Sequence, residues 1–216
     1  MSAVEAQPAL RRKLAASARA MPVRFARNGE RLPPAWFLTD PARTPDPVAI
    51  VGRLPAGWGV IYRSFGAPDR FDLGRRLKAV CARRRLRLLV SADPELAMRI
   101  GADGVHWPEA LARPRGLRRR GWIETCSAHG RRSIERAARL GFDAAILSAV
   151  FPSRSPSAGD PIGPGRFRSL AATAPLPVYA LGGVTARTAG LLTGANADDT
   201  RLAGWAAVEA VAEAFG

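Results

Sequence analysis

The sequence predicts a (βα)8 barrel of the α/β class, a single domain with a short N-terminal extension. Three observations predict it. Short apolar runs of strand type alternate with segments of helical periodicity from residue 35 onward. Three helix-to-strand joints share one grammar: Ile100-Gly101-Ala102-Asp103-Gly104, Leu140-Gly141-Phe142-Asp143-Ala144 and Thr193-Gly194-Ala195-Asn196-Ala197. In each, a glycine suits the left-handed cap of a helix, and Asp or Asn turns the chain into the next strand. Polar residues then gather at the C-terminal ends of the strands, where a barrel places its chemistry. About eight βα units fit the chain beyond the extension, a little below the usual barrel size. A doubly wound open sheet is the alternative, but no glycine-rich fingerprint follows the first strand.

Residues 1–33 form a basic N-terminal extension, and residues 34–216 the barrel. Residues 9–20 have the pattern of a short amphipathic helix with little to bury, so the extension is expected to be frayed or peripheral. Its richness in arginine and poverty in acids also suit an organelle-targeting segment, the less favoured reading. Strands are expected at Ala35–Thr39, Gly59–Tyr62, Leu86–Val90, Gly104–His106, Trp122–Cys126, Ala144–Leu147, Val178–Leu181 and Leu202–Ala206. Helices are expected at Phe71–Arg85, Pro94–Ile100, Arg131–Leu140, Arg166–Thr173, Ala186–Thr193 and Ala207–Phe215. Prolines and clustered arginines weaken the helical pattern of 47–54 and 109–120.

The formal charge is +15, almost all of it from arginine, since Lys13 and Lys78 are the only lysines. That sign favours anionic partners, phosphate esters or nucleic acid. The arginines are spread over helix faces without interleaved aromatics, which argues against nucleic acid and for a solvated basic surface, with a small-molecule phosphate left open as partner. No apolar run reaches membrane-spanning length, and two cysteines, Cys81 and Cys126, are too few for a disulfide framework. A cytoplasmic setting is the simplest expectation, and a homo-oligomer stays open.

Residues 147–165, LSAVFPSRSPSAGDPIGPG, interrupt the alternation with a loop of Ser, Arg, Pro and Gly at a strand end. Its hydroxyls and N–H groups suit an anionic oxygen cluster. The other strand ends supply Thr39 and Asp40, Arg63, Ser91, His106, Ser127 with His129, and Gly182-Gly183. The Gly-Gly pair falls after the seventh strand, where barrels bind phosphate with backbone N–H groups. His106 is expected to pin a strand end through hydrogen bonds, and Cys126 to pack as a small apolar group. Arg63 suits either a phosphate or an ion pair with Asp40.

GADGVH (101–106), CSAH (126–129), VFPSRS (150–155), PIG (161–163), LPVYALGGV (176–184) and GWAAVEA (204–210) together resemble the thiamine phosphate synthase and TenI family, over roughly Trp36 to Val211. The resemblance implies a (βα)8 barrel that handles a thiazole phosphate. In the synthase branch it is coupled to a pyrimidine pyrophosphate with magnesium, releasing pyrophosphate. In the TenI branch it is isomerised without that metal. Carried over by position, Ser127, Ser153, Ser155, Gly182 and Gly183 bind the substrate phosphate, Arg63 grips pyrophosphate, and His129 is the TenI-like acid/base group.

The metal and pyrophosphate half departs from the family pattern. In Ile61-Tyr62-Arg63-Ser64-Phe65 only the arginine of Gln-x-Arg-x-Lys is kept. Ala92 and Leu111 stand where carboxylate ligands of magnesium are expected, leaving Asp93 and Glu109 as displaced candidates; Asp93, ahead of Pro94, suits a helix N-cap better. Pro156 replaces a lysine, and Glu209 a phosphate-side serine. The expected function is therefore a thiamine phosphate synthase-like enzyme with a degenerate metal site, magnesium being needed only if coupling is retained. A TenI-like tautomerase and a non-catalytic phosphate-binding barrel are the alternatives.

Overall fold

In a computed structural model, residues 3–112, 119–155, 159–193 and 200–216 are described. Eight parallel strands close into a barrel in sequence order: β1 (Ala35–Leu38), β2 (Gly59–Tyr62), β3 (Arg87–Ser91), β4 (Gly104–Trp107), β5 (Ile123–Ala128), β6 (Ala144–Leu147), β7 (Val178–Ala180) and β8 (Leu202–Ala207). The ring is completed by β8 pairing with β1, Trp36 lying opposite Ala206. Helices α1 (Ala3–Arg19), α2 (Pro47–Val51), α3 (Arg70–Arg84), α4 (Pro94–Ile100), α5 (Arg131–Arg139), α6 (Gly163–Thr173) and α7 (Glu209–Phe215) are the described α-helices.

Period-two alternation splits the core in two. One set of strand side chains (Val60, Leu88, Val90, Val105, Cys126 and Val178 among them) packs outward under the helices. The other (Trp36, Leu38, Ile61, Leu89, Ile123, Ile146 and Tyr179) fills the barrel interior. Trp36 takes the room of two residues, because a Cβ at Gly59 would lie 2.1 Å from its indole. Both cysteines are buried, and Cys126 packs in the outer core.

Local chemistry sets the element ends. Asp46 and Asp93 cap α2 and α4 by accepting from Ala49 N–H (3.0 Å) and Leu96 N–H (2.8 Å), each ahead of a proline at the first helical position. Gly101 and Gly141 take left-handed φ values of 69° and 76°, as their joints require. The third joint has its glycine at 194, outside the described residues.

One helix expectation needs correction. The helix expected at Ala186–Thr193 is only a 3-10 turn, Ala189–Leu191. Thr185 and Thr188 bond to each other and to nearby backbone, which diverts those groups from an α-helical ladder. Within 109–120, the described residues show a 3-10 turn at Glu109–Leu111, and 113–118 lie outside them.

The extension is neither frayed nor peripheral. Helix α1 begins well before residue 9, buries Leu14 and Ala18 in the outer core, and is tied to α7: Gln7 Nε2 donates to the Gly216 carbonyl and Arg11 Nε to that of Ala214. Beyond it, the chain doubles back through a Phe25–Arg31 bridge beneath the barrel. There Ala26 and Leu32 join the interior core, Tyr179 Oη donates to the Pro33 carbonyl (2.8 Å), and Asp143 accepts from Arg27 N–H (2.9 Å). The open N-terminal mouth of the barrel supplied the apolar surface that the extension's own sequence did not advertise.

Candidate active site

The C-terminal ends of β1, β2, β6, β7 and β8 enclose a cavity of about 270 Å³. Arg63 enters from β2, Arg43 from the loop after β1, and Ser153, Arg154 and Ser155 from the loop after β6. Gly182, Gly183 and Thr185 follow β7, and Glu209 and Glu213 come from α7. Five of the seven catalytic and phosphate-binding residues expected from sequence therefore meet here: Arg63, Ser153, Ser155, Gly182 and Gly183.

The glycine pair is fixed by close approach. Gly182 and Gly183 have φ of 90° and 61°, and a Cβ at Gly183 would lie 2.2 Å from the Pro152 carbonyl oxygen. The loop after β6 is laced to this turn, Val150 N–H donating to Leu181 (2.9 Å) and Phe151 N–H to Gly182 (3.0 Å). The N–H groups of Gly182, Gly183 and Val184 have no hydrogen-bond partner among the described residues. Donors left open in a concave turn suit an anion.

A charge network crosses the mouth. Asp40 Oδ2 accepts from Arg43 Nη2 (2.8 Å) and Arg63 Nη2 (3.0 Å), and Arg63 Nε also donates to the Thr39 carbonyl (2.6 Å). The hydrogen bond from Arg43 holds the Asp40 carboxyl below its ordinary range, and Asp40 in turn raises Arg43. Burial pushes Arg63 down, opposed by Asp40. Glu209 lies 3.1 Å from Arg154 and 3.7 Å from Arg43, so its carboxylate is screened by two cations on the cavity wall.

The remaining sequence candidates lie elsewhere. Ser127 is bonded to His106 Nε2 (3.0 Å), whose Nδ1 lies 2.9 Å from Thr125 Oγ1. His106 faces Thr125 across the β4–β5 register, and Ser127 falls two residues on, so all three share the interior face. Burial drives the His106 pKa down to about 3 and keeps the ring neutral. His106 thus has the pinning role read from sequence.

His129 sits beyond β5 with its side chain 58% exposed, its Nδ1 2.7 Å from Glu109 Oε2, and it does not line the cavity. Asp93 is the α4 cap and also faces Arg70 at 3.7 Å. Among the described residues no three of His, Cys, Asp and Glu gather in metal-binding geometry. Sequence reasoning missed Arg43; its signal was the Asp40–Arg43 spacing just after β1, which lets one carboxylate both shape the turn and hold the arginine. Pro156 lies outside the described residues.

Comparison with known proteins follows the geometry. Residues 50–211 match the family described as thiamine monophosphate synthase, TMP-TENI. A thiamine-phosphate synthase of Methylococcus capsulatus is 33% identical over 160 residues, covering 70% of this chain and 68% of that protein. One of Thioalkalivibrio sulfidiphilus is 32% identical over 147 residues, covering 63% and 66%. The chain spans 64% of the length of a relative from Aquifex aeolicus and 27% of a thiamine biosynthesis bifunctional protein of Geobacter sulfurreducens, both at 32% identity. In fold, thiamine phosphate pyrophosphorylase from Pyrococcus furiosus superposes with a TM-score of 0.65 over 83% of this chain and 92% of that one, at 19% identity.

Proposed function

This chain belongs to the thiamine monophosphate synthase (TMP-TENI) family, and from that premise we propose that it is a thiamine-phosphate synthase-like transferase of thiamine biosynthesis. It couples a thiazole phosphate to a pyrimidine pyrophosphate. The observation that carries this reading is the cavity in which Ser153, Ser155 and the open N–H groups of Gly182 and Gly183 face Arg63 and Arg43. Hydroxyls and backbone donors on one side suit the phosphate of the thiazole. Two guanidiniums on the other suit the negative charge that gathers on a departing pyrophosphate. Asp40 keeps both arginines aimed before any ligand arrives.

A magnesium ion, were it held here, would supply charge neutralisation for a departing pyrophosphate. The carboxylates nearest the family's metal positions do not fit it: Asp93 caps a helix, Glu109 is bonded to His129, and Ala92 and Leu111 offer no ligand. Arg63 and Arg43 carry the charge stabilisation instead.

A tautomerase reading rests on the His129–Glu109 pair, in which a carboxylate orients the imidazole as an acid/base residue requires. Its place outside the cavity lining favours coupling. The test is a product assay with the pyrimidine pyrophosphate and both ring isomers of the carboxylated thiazole phosphate, with and without magnesium. Thiamine phosphate is the expected product. Isomerisation without coupling, or binding without turnover, overturns the proposal.

A further inference from the structure

A second and larger cavity, about 510 Å³, opens at the opposite end of the barrel. Its floor is apolar: Met21, Leu32 and Trp58 are buried beneath it. Its rim carries four arginines, Arg19, Arg31, Arg85 and Arg87. Arg87 is engaged by Glu30 and Asp103. Arg19, Arg31 and Arg85 are exposed and have no carboxylate partner among the described residues. One wall comes from the end of α1 and the Met21–Pro34 segment, which precede the stretch matched to the family, and the other from Pro55–Trp58 and the start of β3.

We propose that this cavity binds an organic anion: a flat apolar body packed against Val23 and Pro55, and a phosphate or carboxylate head among the arginines. The volume lies in the range of small-molecule sites, and an apolar floor with a few charged groups at the rim is the usual composition of such a site. Arg85 adds an independent observation. It occupies the C-cap of α3 at φ 56°, a left-handed position in which glycine is the unstrained choice. An arginine held there at a cost to the backbone points to a use for its side chain. The Arg31 backbone is fixed by its bridge to Phe25 in the turn beneath the barrel. The proposal is independent of the coupling activity.

The test is calorimetric titration of the full chain with 1-naphthyl phosphate, 1-naphthoate and inorganic phosphate. The comparison is wild type, the double variant Arg31→Gln/Arg85→Gly, and Arg63→Gln at the other mouth. Arg85→Gly relieves the left-handed strain, so the double variant should melt no lower than wild type. The expected result is a naphthyl-anion component at least tenfold tighter than inorganic phosphate, weakened at least tenfold in the double variant and kept in Arg63→Gln. The stronger of the two naphthyl ligands identifies the head group as phosphate or carboxylate. Affinity unchanged in the double variant overturns the proposal, as does loss only in Arg63→Gln or equal affinity for inorganic phosphate. So does a dimer that the double variant dissociates, since the face would then belong to a second copy.

Discussion

Asp40 holds Arg63 at 3.0 Å and Arg43 at 2.8 Å through one carboxylate oxygen, Oδ2, so two cations of the cavity share a single anchor. The ion pair and the functional role of Arg63 are compatible, because the pair sets where the guanidinium points. Arg63→Gln is expected to lower kcat/KM for coupling by about 10²-fold, the cost of removing one charge-stabilising donor. Asp40→Asn should act through position: both arginines stay, and the loss should appear mainly in kcat. Steady-state kinetics on the two variants check this. Equal and small effects in both would leave Arg63 as a structural residue.

Gly183→Ala tests the phosphate turn. The left-handed φ costs a β-carbon about 1–3 kcal/mol, and the 2.2 Å approach to Pro152 adds a clash that the loop must relieve by moving. Thiazole phosphate affinity should fall at least tenfold, together with a lower denaturant midpoint. Unchanged affinity would mean that this turn is not the phosphate site.

His106 makes stability depend on pH. Its folded pKa of about 3 lies below the ordinary 6.5, so between those values the unfolded chain binds more protons than the folded one. Stability is therefore full above about pH 6.5 and declines as pH falls towards 3, by up to about 1.4 kcal/mol per unit. Asp40, whose pKa is also lowered, loses its contribution as pH falls through its folded value and so adds to the decline. Urea unfolding across this range should show a shallower slope in His106→Asn than in wild type.

His129→Asn separates the branches of the family. With His129 beyond the cavity lining, coupling should change by less than threefold, while any isomerisation of the thiazole should vanish. A collapse of coupling would place His129 in the transferase site after all.

Helix α1 should matter for stability. Leu14 is wholly buried, and Leu14→Ala is expected to cost about 2–5 kcal/mol, as for other large-to-small core substitutions. A loss below 0.5 kcal/mol would mean that α1 is detached in solution, since a packed core leucine costs about four times that or more.

The sequence by itself determined the barrel, and five of the seven residues it marked as a site line one cavity. Strand alternation, the Gly-x-Asp joints and the motifs from GADGVH to LPVYALGGV are local features, decided by backbone preference and side-chain period, and all eight strands lie where those features put them. The cap role of Asp93 and the pinning role of His106 were legible for the same reason: each follows from its immediate neighbours or from strand register. Distance in space was not legible. His129, Glu109 and Ser127 read as site residues alongside Ser153, yet only tertiary structure shows Glu109 drawn to His129 and Ser127 to His106, away from the cavity. Arg43 reaches the cavity because Asp40 bends the chain after β1, and the extension folds because the barrel offers it an open apolar mouth. Apart from the local Asp40–Arg43 turn, these contacts join residues far apart in the chain, and their free energy comes from burial that exists only once the barrel has closed.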